Sequence, residues 1–475
     1  MDLRLERKQS ENCTVSAITS KSYVHRLLIA AALGRDRISI RSNIYSKDME
    51  ATVRVINALG GSISASGTGD GEYLFTVERT LIEAADTGRC GACTDEVVLD
   101  CGESGSTARF ILPVATLIAD RVTVTGSGKL PGRPMGPLCN VLRDAGVSIS
   151  SDHLPITLSG RPHAGSYSIA GNVSSQFISG LLFMLPLLDG VSSLSIEGEL
   201  ESAPYVDMTV GVLEKFGVDY DISKDGDLHG DISYVNHGGS QYIYTGRRDK
   251  AETAESDIVI AAEGDWSNAA YIMAIAAAGA GRSFDGVTVR GLCPDSRQGD
   301  REIISVLGKF GVSVIERDNE GAAEYIVHGN PYRCVDVQCR DIPDLVPALA
   351  VIAAYTDGDS IFRNVERLRL KECDRIEAVV SMLAKVGVLV DITYERDHEN
   401  MIVHGKGMLD PVSDDIVIES RNDHRIAMCA AAIAFAENAP VVIKDAMAVD
   451  KSYPGFYDVI DKLGMNCTAV PETPK

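Results

Sequence analysis

The stretch VLRDAG at residues 141–146, followed directly by VSIS, belongs to a pattern that occurs six times in the chain. Two apolar residues, two mostly polar residues and an apolar or small residue precede a glycine, and β-prone sequence follows the glycine in most copies. This order predicts a helix that ends at a glycine C-cap and turns into a strand. The other copies are VINALG at 55–60, VLEKFG at 212–217, VLGKFG at 306–311, MLAKVG at 382–387 and VIDKLG at 459–464.

A more apolar element precedes each copy. A short polar turn with Ser, Asn or Asp residues, which suit helix capping, opens onto a segment that is apolar nearly all round. Such segments predict buried helices. The six segments are SKSYVHRLLIAAAL, ESGSTARFILPVA, VSSQFISGLLFML, GDWSNAAYIMAIAAA, IPDLVPALAVIAA and RNDHRIAMCAAAIA.

The six units predict internal pseudo-symmetry, with three units in each of two domains. The glycines are 71 to 94 residues apart, which is long for a solenoid, the alternative arrangement. Hairpin-like segments such as YLFTVERT and RVTVTGSG favour mixed sheets. The polar, weakly patterned stretch 238–263 marks a possible domain seam. A short strand before Ser20 could pair with the second half, in which case the chain crosses between the domains twice.

Composition narrows the class of function. With 45 basic and 67 acidic residues, the formal net charge of −22 argues against general nucleic-acid binding. No apolar run approaches the roughly 18–20 residues that span a bilayer, and the N-terminus resembles neither a signal nor a transit peptide, so we expect a cytoplasmic protein. The 11 cysteines are expected to be reduced. For Cys90 and Cys93, a loop with two thiols is favoured over a zinc or redox site.

Several polar turns have the composition of anion sites. A helix N-terminus offers free N–H groups and partial positive charge, and nearby Lys or Arg strengthens the attraction for an anion. A protein this acidic needs such local cations to bind anionic substrates. The relevant segments are Ser20-Lys21-Ser22 before Arg26, 102–107 before Arg109, 132–135, 174–176, 342–344, 369–375, 421–425 and 451–454. For 369–375 taken alone, a solvated charge run is an equally good interpretation.

In this order the motifs resemble the 5-enolpyruvylshikimate-3-phosphate synthase family of enolpyruvyl transferases, from Lys21 to about Pro454. Two positions depart from the family pattern. Glu103 stands where the family usually has Asn, and we expect its side chain to point away from the phosphate site; Arg367 stands where some members have a substrate-contacting Asn. Sensitivity to the inhibitor glyphosate therefore does not follow from the motifs. The matching motifs are Ser20-Lys21-Ser22 with Arg26, Gly105 with Arg109, Arg133-Pro134, Ser174-Ser175-Gln176, Ser202-Ala203-Pro204-Tyr205, Ile342-Pro343-Asp344, Arg369 to Arg375, Asn422 to Arg425, and Lys451 with Pro454.

The resemblance implies an α/β fold of two pseudo-symmetric domains. Each consists of three βαβαββ units with helices buried inside the sheets, an inside-out α/β barrel. One domain would comprise residues 1–20 and about 263–475 and carry the phosphoenolpyruvate-side residues and the catalytic carboxylates. The other, 21–262, would carry most residues for shikimate 3-phosphate. The two domains are expected to close over the substrates.

The implied reaction transfers the enolpyruvyl group of phosphoenolpyruvate to the 5-hydroxyl of shikimate 3-phosphate, through a tetrahedral intermediate that loses phosphate. The resemblance implies a monomer without metal or organic cofactor. It makes Asp344 the base and Glu372 the acid, with Lys21 able to share either role; from the residues alone, Asp344 could equally be an N-cap. The implied shikimate-3-phosphate residues are Lys21, Ser22, Arg26, Ser174, Ser175, Gln176, Ser202, Tyr205, Asp344 and Lys371. The implied phosphoenolpyruvate residues are Lys21, Gly105, Arg133, Gln176, Arg375, Arg425 and Lys451.

Three alternatives are weaker. The UDP-N-acetylglucosamine enolpyruvyl transferases have a reactive Cys five residues before the Arg-Pro pair, where this chain has Gly128, and Lys-Asn where it has Lys21-Ser22. An RNA-end-processing enzyme with similar repeats is disfavoured by the acidic charge. A non-catalytic binding protein would not need Asp344, Glu372 and Lys21 together.

Overall fold

The structure is a computed structural model, and the chain divides into two compact units. Unit 1 comprises Met1–Ser20 and Glu263–Lys475, and unit 2 comprises Lys21–Ala262. The Cys90 and Cys93 pair and most of the stretch 238–263 lie outside the described residues. The described residues are 1–8, 13–86, 96–224, 232–237, 258–279, 286–319, 322–396, 398–407, 415–437 and 439–471.

The sheets of unit 2 share one design. Each has four strands, of which the first two are parallel neighbours and the last two continue the sheet antiparallel. Within the described residues, in spatial order, the sheets are β14 (Ile258–Ala261), β3 (Ile38–Ser42), β5 (Tyr73–Arg79) and β4 (Ser62–Gly67); β6 (Val97–Asp100), β7 (Arg121–Thr125), β9 (Ile156–Ser159) and β8 (Ser148–Ile149); and β10 (Ser166–Ala170), β11 (Ser192–Glu197), β13 (Ile232–Asn236) and β12 (Asp221–Lys224).

Unit 1 repeats this design, which confirms the predicted mixed sheets. Its described sheets are β22 (Ile416–Glu419), β23 (Val441–Lys444), β1 (Leu3–Arg7) and β24 (Met465–Ala469); β2 (Cys13–Ser16), β15 (Gly286–Arg290), β17 (Ala322–His328) and β16 (Ser313–Asn319); and β18 (Asp336–Gln338), β19 (Asp357–Arg363), β21 (His398–Lys406) and β20 (Leu389–Glu395).

Several sheets combine strands that lie far apart in the sequence. The first 20 residues contain two strands rather than one: β1 pairs with β23 and β24, and β2 pairs with β15. Unit 2 in turn takes the first strand of its first sheet, β14, from the end of the stretch that looked weakly patterned. The segment IVIA is apolar enough to form a strand, but its partner β3 lies more than 200 residues earlier. Local pattern therefore could not reveal this pairing.

One set of helices is buried, as the apolar segments predict. In α8 (Trp266–Gly279) every residue is buried. Helix α8 and the helices α10 (Val346–Ala354) and α12 (His424–Ala436) all contact one another. Helix α4 (Gly105–Ile118) contacts both α1 (Lys21–Leu33) and α6 (Ser175–Met184). A solenoid, in which repeats meet only their neighbours, would not give this mutual contact in unit 1. The buried helices are α1 (Lys21–Leu33), α4 (Gly105–Ile118), α6 (Ser175–Met184), α8 (Trp266–Gly279), α10 (Val346–Ala354) and α12 (His424–Ala436).

The other set ends at the repeated glycines. All six glycines have positive φ, between 68° and 104°. After the fifth helix, for example, the Val147 amide donates to the Leu142 carbonyl at 2.9 Å, as in a Schellman motif. These helices are α2 (Lys47–Ala58), α5 (Gly136–Asp144), α7 (Ala203–Lys215), α9 (Ile303–Phe310), α11 (Arg375–Ala384) and α13 (Phe456–Lys462); a further short helix, α3 (Leu81–Asp86), stands outside the repeat.

Candidate active site

Asp344 lies at the centre of an ion-pair cluster in unit 1. It belongs to a 3₁₀ turn, Pro343–Leu345, that leads into α10, and it is not the N-cap of that turn. Its Oδ1 is 2.7 Å from Arg375 Nη1 and 3.2 Å from Lys371 Nζ, and its Oδ2 is 3.5 Å from Arg425 Nη2. The carboxylate thus contacts three cations, and capping does not account for its position.

Arg375, the first residue of α11, joins three carboxylates. Its side chain is 2% exposed. Nη1 donates to Asp344 and Nη2 to Glu372, both at 2.7 Å, and Nε donates to Asp423 at 2.8 Å. Asp423 is also the N-cap of α12, where it accepts the Arg425 amide at 2.9 Å. The guanidinium therefore ties the starts of two helices to Asp344, and its hydrogen bonds compensate the burial of its charge.

Arg425 is buried against the start of α8. Its Nη1 donates to the Ser267 carbonyl at 3.1 Å, and its guanidinium lies 5.3 Å from the centre of the Tyr271 ring. The Ser267 hydroxyl donates to Asp300, which is fully buried. Burial, reinforced by repulsion from Asp344, raises the pKa of Asp300 to about 6. Ser267 and Tyr271 lie in the apolar segment 264–278, which predicted a buried helix and no site role, and Asp300 lies outside every quoted motif.

The cations control the protonation of Asp344. Burial alone would raise its pKa, but Lys371, Arg425 and Arg375 together hold it well below the usual range. The pKa of Lys371 is lowered, chiefly by burial, although the charge of Asp344 opposes this change. The cluster therefore contains an ionised and weakly basic Asp344.

Lys451 contacts the turn that precedes Asp423, which belongs to this cluster. It ends a 3₁₀ segment, Ala446–Lys451, and its Nζ donates to the Asn422 carbonyl at 3.0 Å. Asn422 directly precedes Asp423. The structure thus groups the predicted residues of unit 1: Asp344, Lys371, Glu372, Arg375 and Arg425 are in contact, and Lys451 contacts the adjoining turn.

In unit 2, Lys21 pairs with a carboxylate that the sequence analysis did not select. Lys21 is the first residue of α1, and its Nζ is 2.9 Å from Asp48 Oδ2 in the first turn of α2. Both side chains are partly exposed, at 17% and 18%. An acidic residue in a first helical turn is common, so Asp48 gave no distinct signal in the sequence.

Two predicted residues of unit 2 meet Arg109 at the start of α4. Arg109 Nη1 donates to Gln176 Oε1 at 2.5 Å, and Gln176 Nε2 donates to the Ser106 hydroxyl at 2.9 Å. A Cβ on Gly105 would lie 3.0 Å from Arg133 Nη1 and 3.2 Å from Arg109 Nη1. Glycine at this position therefore lets two guanidinium groups lie close to the helix N-terminus, a favourable place for an anion.

The serines before Gln176 have a structural role. Ser174 is the N-cap of α6, and its hydroxyl accepts the Gln176 amide at 3.3 Å. Ser175 is the first residue of the helix and is buried. Contact of either serine with a substrate stays a prediction.

Arg26 is buried between α1 and α7. Its guanidinium donates to the Thr209 hydroxyl and to the carbonyls of Ser22 and Tyr205, each at 2.8 Å. Burial lowers its pKa to about 10, which leaves it charged at neutral pH. Nearby, Ser202 has a left-handed backbone, with φ of 55°, just before α7. These bonds bring Ser22, Arg26 and Tyr205 together, while their contact with a substrate stays a prediction.

The two departures from the family motifs have defined positions. Glu103 is exposed, and its carboxyl carbon lies 2.6 Å from where a Cβ on Gly128 would be. Gly128 itself has φ of 60°. Arg367 lies in the 3₁₀ segment Glu366–Leu370, and its charge is among the influences that lower the pKa of Lys371.

Within the described residues, no three His, Cys, Asp or Glu side chains are grouped so that they could hold a metal ion. No helix in the same part of the chain has both the length and the apolar character needed to cross a membrane.

Comparison with known proteins gives consistent matches over the whole chain. Residues 6–460 match the family model described as EPSP synthase (3-phosphoshikimate 1-carboxyvinyltransferase). The chain is 35% identical to the 3-phosphoshikimate 1-carboxyvinyltransferase of Clostridium novyi, covering 95% of both chains. It is 33% identical to the protein of the same name from Natronomonas pharaonis, covering 96% of both chains.

Solved structures show the same fold at lower identity. An EPSP synthase from Acinetobacter baumannii superposes with a TM-score of 0.70 at 23% identity, covering 98% of this chain and all of that one. The enolpyruvyl transferase NikO from Streptomyces tendae superposes with a TM-score of 0.68 at 15% identity, covering 99% of this chain and all of that one. These matches confirm the predicted α/β fold.

Proposed function

The chain belongs to the EPSP synthase (3-phosphoshikimate 1-carboxyvinyltransferase) family of transferases in the shikimate pathway, and from that premise we propose how its polar clusters carry out the reaction. The 5-hydroxyl of shikimate 3-phosphate gives its proton to a base and adds to C2 of phosphoenolpyruvate while C3 takes up a proton from an acid. The tetrahedral intermediate then loses phosphate from C2 and a proton from C3, which restores the carbon–carbon double bond. The observation that carries the proposal is the Asp344 carboxylate bound by Lys371, Arg375 and Arg425.

The first requirement is charge. The substrates bring two phosphates and two carboxylates, and each pair of unit charges 4 Å apart repels by about 4 kcal/mol at an effective dielectric constant near 20. The proposed residues for phosphoenolpyruvate are the cations Lys21, Arg133, Arg375, Arg425 and Lys451, together with Gly105 and Gln176. Arginine can bind a carboxylate or phosphate through two hydrogen bonds, so Arg→Lys changes at these positions should lower activity.

The second requirement is a base for the 5-hydroxyl. While the three cations pair with Asp344, they keep its pKa low, so it is a poor base. When anionic substrates take over the hydrogen bonds of Arg375, Arg425 and Lys371, that stabilisation weakens, and the burial of Asp344 then raises its pKa. We therefore infer that substrate binding activates Asp344 as the base.

The third requirement is an acid for C3. Glu372 shares the Arg375 guanidinium with Asp344 but is more exposed, at 28% against 18%. It can therefore exchange its proton with solvent more readily. We assign it as the acid, with Lys21 as a further proton carrier.

The fourth requirement is orientation of shikimate 3-phosphate. Correct placement of the reacting groups can contribute about 7–11 kcal/mol of barrier reduction. The proposed residues are Lys21, Ser22, Arg26, Ser174, Ser175, Gln176, Ser202, Tyr205, Asp344 and Lys371.

The carboxylates provide the direct test. Asp344→Ala and Glu372→Gln should still fold but lose turnover, measured as phosphate release from shikimate 3-phosphate and phosphoenolpyruvate. Asp359→Asn is the matched control, because Asp359 pairs with His404 on an exposed sheet face. Near-normal steady-state rates in both site variants would refute the assignment.

The related UDP-N-acetylglucosamine reaction is disfavoured by one observation. Its reactive Cys would occupy position 128, where the backbone has positive φ and a Cβ would fall 2.6 Å from the Glu103 carboxyl carbon. We expect no phosphate release with UDP-N-acetylglucosamine as acceptor.

We also infer a monomer that acts in the cytoplasm. Both substrates are multiply charged and do not cross a bilayer unaided, so the enzyme should work where they are made. Light scattering on the purified chain, with and without substrates, would test the monomer.

A further inference from the structure

The turn between β22 and α12 has an unusual backbone. Arg421 and Asn422 are consecutive residues with positive φ, 53° and 57°. Asp445, which follows β23, has φ of 51°. Six non-glycine residues of the described chain have positive φ, and these three residues are half of them. Because a Cβ disfavours this conformation, surrounding contacts must maintain it, and such backbone is common at functional sites.

One buried hydroxyl connects two of these residues, Asn422 and Asp445. Ser420 is fully buried. Its Oγ donates to the Asp445 carbonyl at 3.1 Å and accepts the Asn422 amide at 3.2 Å. Its own carbonyl accepts the Asp423 amide at 3.0 Å. Ser420 thus joins the turn before α12 to the residue that begins the segment after β23.

The link that the Ser420 hydroxyl makes between Asn422 and Asp445 is specific to one repeat unit. The residue after the first strand of each unit donates its amide to a carbonyl near the end of the second strand, as Cys101 does to Thr125 and Ser420 does to Lys444. The thiols of two copies turn back to their own strands instead of reaching across. Of these six small residues, Ser420 is the one with a hydroxyl. The six are Ala17, Ala262, Cys101, Gly171, Cys339 and Ser420.

The two hydrogen bonds of the Ser420 hydroxyl affect both the acceptor and the donor of a hydrogen bond made by Lys451. The acceptor of the Lys451 Nζ is the carbonyl of Asn422, whose amide Ser420 binds. The donor sits at the end of Ala446–Lys451, the segment that begins directly after Asp445. Loss of the hydroxyl would free the acceptor and the segment that carries the donor at the same time.

We propose that Ser420 is a positioning residue that sets where the Lys451 ammonium is held for an anionic group of phosphoenolpyruvate. The inference rests on the proposed function, in which Lys451 binds that substrate. Ser420 itself contacts no substrate and acts through Lys451.

The test is a double-mutant cycle with Ser420→Cys and Lys451→Met. Cysteine occupies the equivalent buried position in two other units, so Ser420→Cys is compatible with the fold. We expect it to raise the KM for phosphoenolpyruvate about three- to tenfold with kcat changed less than about twofold. The reason is that the lost interaction stabilises the bound substrate and the transition state equally. In the Lys451→Met background the same change should alter the KM less than about twofold, because the two residues act as one unit.

Two controls separate positioning from general destabilisation. Ser360→Ala removes another fully buried hydroxyl of unit 1, which accepts the Val335 amide at 3.2 Å, and should leave the KM unchanged. Ser420→Thr retains the hydroxyl and should restore the KM.

An unchanged KM in Ser420→Cys, or an equal rise in the Lys451→Met background, would overturn the inference while leaving the proposed function intact. Absence of phosphate release by the wild-type chain would instead refute the proposed function. The cycle would then be read from calorimetric affinities for phosphoenolpyruvate, and absence of binding by the wild-type chain would overturn both.

Discussion

Asp423 combines two roles in one side chain, because it caps α12 and neutralises the buried Arg375. Asp423→Asn keeps an oxygen for the cap but removes the charge. We expect it to lower the free energy of unfolding by about 3–5 kcal/mol, since it leaves a buried cation without one of its partners. Asp374→Asn is the matched control, because Asp374 caps α11 and pairs with Arg369 at a partly exposed site, where the loss should be at most about 1 kcal/mol. Equal losses in urea unfolding would contradict this account.

At the same scale, the sequence motifs selected the cations, Asp344 and Glu372, but not the other carboxylates of the two clusters. Asp423 stood inside a quoted motif without a role, and Asp48 and Asp300 stood in no motif. A carboxylate in a polar turn looks the same in sequence whether it is exposed or fully buried. Asp300 shows the difference, since burial gives it a pKa of about 6 rather than an ordinary one. That property depends on the packing of the 3₁₀ segment Gly299–Glu302 against α8, where the Ser267 hydroxyl donates to Asp300 more than 30 residues away in the chain.

At the scale of the element, the repeated glycine fixes the direction in which the chain leaves the helix before it. Gly146 has φ of 97°, and a Cβ there would meet nothing closer than 3.6 Å. Gly146→Ala should therefore lower the free energy of unfolding by about 1–2 kcal/mol through backbone strain alone. Gly132→Ala is the control, because Gly132 lacks positive φ and a Cβ there has open space, so it should be neutral or slightly stabilising. Similar losses for both variants in urea unfolding would count against the strain argument.

Secondary-structure elements, above all the helices, were the features best predicted from the sequence. The helix that ends at a glycine is a local pattern, and all six copies form it. The buried helices followed equally from apolar composition. Strand partners were harder, because pairing is decided by the path of the chain through space. The short strands β1, β2 and β14 all join sheets whose other strands lie far away in sequence.

At the scale of the whole molecule, unit 2 consists of one continuous segment of the chain, whereas unit 1 consists of two separate segments. The three described sheets of unit 2 take all their strands from Lys21–Ala262. Unit 1 instead needs the first 20 residues, because β1 lies between β23 and β24 and β2 forms the edge beside β15. Leu5 in β1 is fully buried, and Leu3 nearly so. A fragment 21–262 should therefore fold alone, whereas a fragment 263–475 should not.

A permuted fragment provides the control for this difference. Leu3 pairs with Ala469, and the Val470 amide donates to the Asp2 carbonyl at 3.0 Å, so a short linker can join the end of the chain to its start. A chain of 263–475, linker and 1–20 restores β1 and β2 to their sheets. Each fully buried leucine is worth about 1.5–3 kcal/mol, so this chain should unfold cooperatively in urea, followed by circular dichroism, while 263–475 alone should not. If both unfold with the same cooperativity, the N-terminal strands are dispensable, and the stability of unit 1 must come from its buried helices alone.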